Sequence, residues 1–392
     1  MRPYGRAHLF LASIAGSMAV AALLGAVLFG AHLADPDGFL GPLYLRLPIV
    51  VAIGFGIDLV PRTVWVSRGN PARMAGVLRE RLAKHWTRDR VILVVAGALG
   101  FYLTYFSYRN LKSELPFIEG PHHVFDPALF SLDRALFLGH VPAVVLHRAF
   151  GTGVAAEFFS LVYVWFMPLT PFALVVWLVW SRNLGFGYWF ATSQCAAWAM
   201  GIVSYYALPS LGPGFEHPWL FTSVNNTSAE RLLSSLADSR VWAIDTTAPT
   251  LTGATSTFSG VAAFASLHIA ITLLVALMVQ FTTRMRWLKI VVWVNTTLTA
   301  VAVIYLGYHY LADLLAGAAI ALVAFYTGGL ASGHSFTRRP VPGHGKTGRH
   351  CRRQPLAVND DSQGRVQSVP DAFVTSTRAA RESLRRAYLG EK

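Results

Sequence analysis

Charge and cysteine are the two things this chain has least of. Only 14% of its 392 residues are Asp, Glu, Lys or Arg, while 54% fall in the hydrophobic class. A water-soluble domain carries about 25% charged residues, so the shortage excludes an ordinary soluble globule and makes lipid the expected solvent. The two cysteines, Cys195 in an apolar run and Cys351 in a basic one, exclude a disulfide framework and a cysteine-built zinc site. No self-similarity recurs at a fixed period, which excludes a repeat array. No glycine-rich phosphate loop opens a helix after a strand. The net charge of +13 invites a nucleic-acid reading. The cations, however, lie between and after apolar runs, which is the pattern of membrane topology and not of a groove binder, so no nucleic-acid partner is expected.

What is present is a series of apolar runs long enough to cross the hydrocarbon core as helices. Eight are read, at 9–31, 43–61, 91–107, 155–180, 186–208, 261–281, 288–307 and 310–330. The expected fold class is therefore an all-α polytopic membrane protein of about eight transmembrane helices, the last six forming one helical core. The first run is longer than the core of a signal peptide and precedes no small-residue cleavage site, so it is expected to remain a span. The second is the weakest, because it holds Arg46, Pro48 and Asp58, with Arg46 and Asp58 as a possible ion pair. Placing both termini in the cytoplasm puts most Lys and Arg inside, including the dense stretch from Arg62 to Arg90 and the tail. Only Arg109, Lys112, Arg134, Arg148, Arg231 and Arg240 are left outside.

Three regions follow: two spans and a basic cytoplasmic loop over 1–90, a membrane core over 91–330, and a basic, disordered cytoplasmic tail over 331–392. The outer segment near 123–150 has apolar residues at helical spacing and is expected to lie in the interface as an amphipathic helix. A second outer segment, 209–257, is rich in Ser, Thr, Pro and Gly. Ala-, Gly-, Arg- and Val-rich usage points to a high-GC bacterium, and hence to its plasma membrane.

Two short stretches carry possible chemistry. Ser266-Leu267-His268 lies near the outer end of the sixth run, and His309 with Asp313 lies where the seventh turns back into the eighth. One cytoplasmic turn separates them, so both reach the extracytoplasmic face. Four residues apart on a helix, His309 and Asp313 share a face. A carboxylate that accepts from one imidazole nitrogen fixes the tautomer and frees the other nitrogen as a nucleophile. His268 stands where a general acid for the departing oxygen would stand, and Ser266 at a helix start can help backbone amides hold a phosphate. The plainer alternative is that these are interfacial histidines and a buried hydrogen bond. Spacing alone leaves both readings open.

In these residues the chain resembles the type 2 phosphatidic acid phosphatase superfamily. Ser266-Leu267-His268 resembles its second motif, and His309-Tyr310-Leu311-Ala312-Asp313 followed by Gly317 resembles its third. The likeness is nearest to the inositol phosphorylceramide synthase-like branch. Phe125-Asp126-Pro127, Asp133 and Gly139 with Pro142 are similar to a helix that precedes the core in bacterial relatives. The resemblance spans about 100–330. It implies that His309 attacks phosphorus and forms a phosphohistidine, that Asp313 orients His309, and that His268 protonates the leaving alcohol and then deprotonates the acceptor, with no metal or cofactor.

The chain also departs from the phosphatase pattern. Ala302 and Val303 stand where a Ser-Arg pair is expected, Ala265 replaces the second motif's Pro, and no full first motif is present. Some other cation must neutralise the phosphoryl charge. Arg109 and Lys112 are the first choices, followed by Arg134 and Arg148. The expected function is transfer of a phospho-alcohol headgroup, such as inositol phosphate, from a phospholipid donor to a lipid or glycan acceptor. A lipid phosphate phosphatase using water is the first alternative. A non-catalytic lipid binder or transporter, in which Arg46 and Asp58 would matter more, is the second.

Overall fold

Apolar runs in this chain become long helices whose ends are set by glycine, proline and polar caps. The computed structural model describes residues 4–36, 41–68, 70–119, 124–224, 227, 261–334 and 336. Most of the 209–257 segment and nearly all of the basic tail lie outside those residues. Among the described residues every regular element is helical: α1 (Gly5–Phe29), α2 (Leu43–Ser67), α3 (Pro71–His85), α4 (Arg88–Glu119), α5 (Asp126–Leu136), α6 (Pro142–Phe150), α7 (Val154–Val164), α8 (Phe166–Val175), α9 (Leu184–Ala207), the single turn α10 (Pro213–Glu216), α11 (Leu267–Thr282), α12 (Arg286–Tyr305) and α13 (Leu311–Ala331).

Six stretches are long and apolar enough to cross a membrane: α1, α2, Arg88–Pro116 of α4, Val154–Trp180, α12 and α13. Two of the eight expected crossings fall outside that set for different physical reasons. Helix α9 has the length but is rich in small and polar residues, and most of it, from Tyr188 to Trp198 without a gap, is buried against neighbouring helices. A helix wrapped by protein needs no lipid-compatible surface. Helix α11 has only 16 residues. Its expected start at 261 moves to Leu267, because 261–266 is irregular, bent chain stitched to the α9 side. The Ala263 amide donates to the Ser210 carbonyl (2.8 Å), the Phe264 amide to the Ser210 hydroxyl (3.0 Å) and the Ala265 amide to the Ser204 hydroxyl (2.9 Å). Ser266 then caps the helix, its hydroxyl accepting from the Ile269 amide.

The centre of the bundle is α9, packed against α4, α13, α1 and α11, with α12 lying on α7 and on α11. Small residues let these helices approach closely. A β-carbon at Gly317 of α13 would sit 2.3 Å from the Ser266 carbonyl oxygen, so the two segments that carry the histidine motifs touch backbone to backbone.

Three further expectations are corrected. The run 155–180 is not one regular helix: it breaks between α7 and α8 at Trp165 and ends in a π turn, Val176–Trp180. Pro168 and Pro171 lack the amides that would bond to Val164 and Met167, which explains the irregularity. The interfacial segment is two helices, α5 and α6, separated by a turn in which Leu138 and Gly139 take positive φ (54° and 88°). Asp58 pairs with Arg62, one turn on, and not with Arg46, whose guanidinium instead reaches the Pro36 carbonyl (3.4 Å).

Candidate active site

The chain reverses between α12 and α13 through Gly307, whose φ of +76° suits a residue without a β-carbon. The amides of Tyr308 and His309 both donate to the Val303 carbonyl (3.0 and 3.2 Å), closing the turn. His309 therefore leaves the turn just before α13 begins. Its Nδ1 lies 3.3 Å from Asp313 Oδ2, and the same oxygen accepts the Tyr310 amide at 2.8 Å. Asp313 is fully buried and His309 nearly so. The main chain of this turn is tied to the second motif as well: the Ser266 amide donates to the Asp313 carbonyl at 3.0 Å.

His268, in the first turn of α11, faces this pair. The centroids of the His268 and His309 rings are 5.8 Å apart. Aromatic rings hold His268 in place, with Tyr163 stacked at 4.4 Å and Phe166 at 4.2 Å. Tyr163 also stacks on Tyr308 at 4.3 Å, and two rings cannot share one face, so Tyr163 is sandwiched between the two histidine-bearing segments. Tyr163 and Phe166 are three apart and so share one helical face, which meets the His268 ring.

The four expected cations fare differently. Lys112 is brought to the site: its ammonium lies 5.4 Å from the Tyr205 ring centroid and is among the charges acting on His268. Arg109 is half-buried one turn earlier on α4. Arg134 and Arg148 are exposed on α5 and α6, and Arg134 Nε donates to the Gly139 carbonyl (3.2 Å). Ser266 is fully buried, and its hydroxyl is engaged with the Ile269 amide.

Two acids that enter the sequence reading only through the resemblance of their helix, with no role attached, prove central to the geometry. Helix α5 turns an acidic face inward: Asp126 and Asp133, seven apart and hence on one side, are its buried residues, while Leu132 and Leu136 are exposed. Asp126 accepts from the amides of Leu211 and Gly212 (2.8 Å each) and from the Tyr310 hydroxyl (2.9 Å). Asp133 accepts the Leu311 amide with both oxygens (3.0 and 3.1 Å), at the start of α13. A carboxylate there complements the positive end of the helix dipole.

Burial pushes the Asp133 carboxyl from its ordinary 3.8 up to about 6; the charge of Asp313 adds to the rise and the bond from the Leu311 amide opposes it. A carboxyl raised on folding favours the protonated folded state. Its contribution to stability is therefore fullest below about pH 4 and is lost as the pH climbs to about 6. Asp133→Asn keeps an acceptor for Leu311 and removes the charge. At about pH 7.5 the variant is expected to be more stable than the parent by about 1 kcal/mol, with the gap closing towards pH 4. Thermal unfolding in detergent at the two pH values checks this, and a parent chain that is the more stable at the higher pH contradicts it.

A family model described as the PAP2 superfamily matches residues 127–327, from the acidic helix α5 into α13. The chain belongs to the PAP2 superfamily, whose members are generally phosphatases or phosphotransferases. It is thus a membrane protein of a family that acts on lipid phosphate esters. No curated protein and no solved structure matches it.

Proposed function

We propose that this chain is a phosphotransferase that moves a phospho-alcohol headgroup, inositol phosphate being the first candidate, from a phospholipid to a lipid or glycan alcohol. The observation that carries the reading is the convergence of His268, from the start of α11, with His309 and Asp313, from the turn into α13, around one small volume. Asp313 accepts from His309 Nδ1 and so leaves Nε2 with its lone pair. Nε2 attacks phosphorus, the N–P bond forms, and the ester P–O bond to the donor's lipid alcohol breaks as His268 gives that oxygen a proton. The acceptor hydroxyl then gives its proton to His268 and attacks the phosphohistidine, which releases Nε2. Lys112, with Arg109 one turn away, supplies positive charge in place of the missing Ser-Arg pair, and the first turn of α11 offers its amide end to the phosphoryl oxygens.

The departures at Ala302 and Val303 favour transfer over simple hydrolysis. Both side chains are fully buried, and the synthase-like branch tends to lack the pair as well. The same three side chains serve a lipid phosphate phosphatase if water takes the acceptor's place. In this reading the chain crosses a bacterial plasma membrane eight times, α9 and α11 included. Both termini are cytoplasmic and the histidines open to the outer leaflet.

Purified protein incubated in detergent with phosphatidylinositol, with and without candidate alcohols, separates the two acceptors. The transferase reading expects diacylglycerol only when an acceptor alcohol is present. Free phosphate released from a lipid phosphomonoester without acceptor favours the phosphatase instead.

A further inference from the structure

Tyr310 joins two buried carboxylates. Its hydroxyl donates to Asp126 (2.9 Å), and its backbone amide donates to Asp313 Oδ2 (2.8 Å), the oxygen that faces His309 Nδ1. The ring between these two ends is fully buried. Asp126 is anchored in turn by the amides of Leu211 and Gly212, so it cannot follow Tyr310 if the tyrosine moves. The contact between His309 and Asp313 is long, at 3.3 Å, and small movements of the Tyr310 amide decide whether that oxygen stays within reach.

We infer that Asp126 and Tyr310 are positioning residues: through Tyr310, the acidic helix α5 sets the pose of Asp313 and thereby the tautomer of His309. The inference deepens the phosphohistidine reading and rests on it for its kinetic consequence, but not for its structural one. Three features point to positioning over general scaffolding. The relay ends on the one Asp313 oxygen that meets His309. Each link is a hydrogen bond to a carboxylate, the kind worth most when buried. And α5 makes a second, parallel attachment at the next residue, Asp133 to Leu311, so that both amides at the head of α13 are held by carboxylates.

The test uses the full chain in detergent, labelled with 15N-histidine, with the His309 signals assigned by their loss in His309→Gln. Tyr310→Phe keeps the ring and deletes only the hydroxyl. It is expected to move the His309 Nδ1 and Nε2 resonances towards a mixed tautomer, and to lower kcat on phosphatidylinositol by about 10- to 100-fold with KM little changed. Asp126→Asn, which retains an acceptor, is expected to restore much of what Asp126→Ala loses. Tyr305→Phe is the control, because it deletes another buried hydroxyl bond nearby, to the Gly151 carbonyl, that does not lead to Asp313. Unmoved His309 resonances in Tyr310→Phe overturn the inference, as does an equal movement in Tyr305→Phe. If the parent chain turns over no phosphate ester, the phosphotransfer reading fails, while the resonance comparison still decides the positioning claim.

Discussion

Replacing the nucleophile, His309→Ala, is expected to lower turnover of a phospholipid donor by roughly 10⁴-fold or more, since no other group at that place can form the phosphoryl bond. The fold is expected to survive. The turn that carries His309 is closed by main-chain bonds to Val303 and the segment is tied to Ser266 through the Asp313 carbonyl, none of which needs the imidazole. The variant does strand Asp313, whose carboxylate loses its nearest side-chain partner. The expected signature is an intact helical spectrum and retained lipid binding with turnover gone. Steady-state assay beside circular dichroism and a lipid-binding measurement checks it. Unchanged turnover removes His309 from the chemistry.

His268→Ala is expected to cost roughly 10²- to 10⁴-fold on a lipid ester, the range of a lost general acid, but with a dependence on the leaving group that His309→Ala lacks. A lipid alcohol is a poor leaving group and needs the proton. A nitrophenolate leaves without one, so phosphorylation of His309 by an aryl phosphate ester is spared. The second half still needs a base for the acceptor hydroxyl, and the phosphoenzyme then accumulates. Rapid mixing of the variant with an aryl phosphate ester is expected to give a burst of nitrophenolate followed by a stall. Tyr163 and Phe166 meet the His268 ring through ring-to-ring packing, so the substitution opens space between aromatic side chains. An equal loss on lipid and aryl esters, with no burst, rules out the acid–base role.

The parts of this site that the sequence made legible are those governed by local spacing. His309 and Asp313, four apart, meet as that spacing requires. Each expected run falls on a helix, or on α7, α8 and the π turn in the case of 155–180, but the helices of the second and third run on past the expected ends, to Ser67 and Glu119. The helix of the sixth run, 261–281, begins late because Ser204 and Ser210, more than fifty residues away in sequence, hold Ala263, Phe264 and Ala265 outside it. What stayed hidden is long-range in the same way. Asp126 and Asp133 lie in a segment whose apolar periodicity advertised an outward, lipid-facing surface. The polar stripe opposite was the informative one: the resemblance named both acids, but only the structure shows what they hold. Tyr163 and Phe166, three apart, share a helical face, but that this face meets His268 is a long-range fact that local spacing does not carry. Among the cations, the sequence placed Arg109 and Lys112 first and Arg134 and Arg148 after them. Only the packing of α4 against α9 brings Lys112 over Tyr205 and near His268.

Covalent capture at His309 is the most direct measurement. An aryl phosphate ester, as the donor, carrying a 32P label at the transferred phosphorus is mixed with His268→Ala protein, quenched in alkali and mapped by peptide mass spectrometry. An acid-labile, alkali-stable label on the peptide that contains His309, absent from the same preparation of the His268→Ala, His309→Ala double variant, is the expected result. Turnover of the donor with no label at His309 at any quench time, or label on a different residue, contradicts the mechanism.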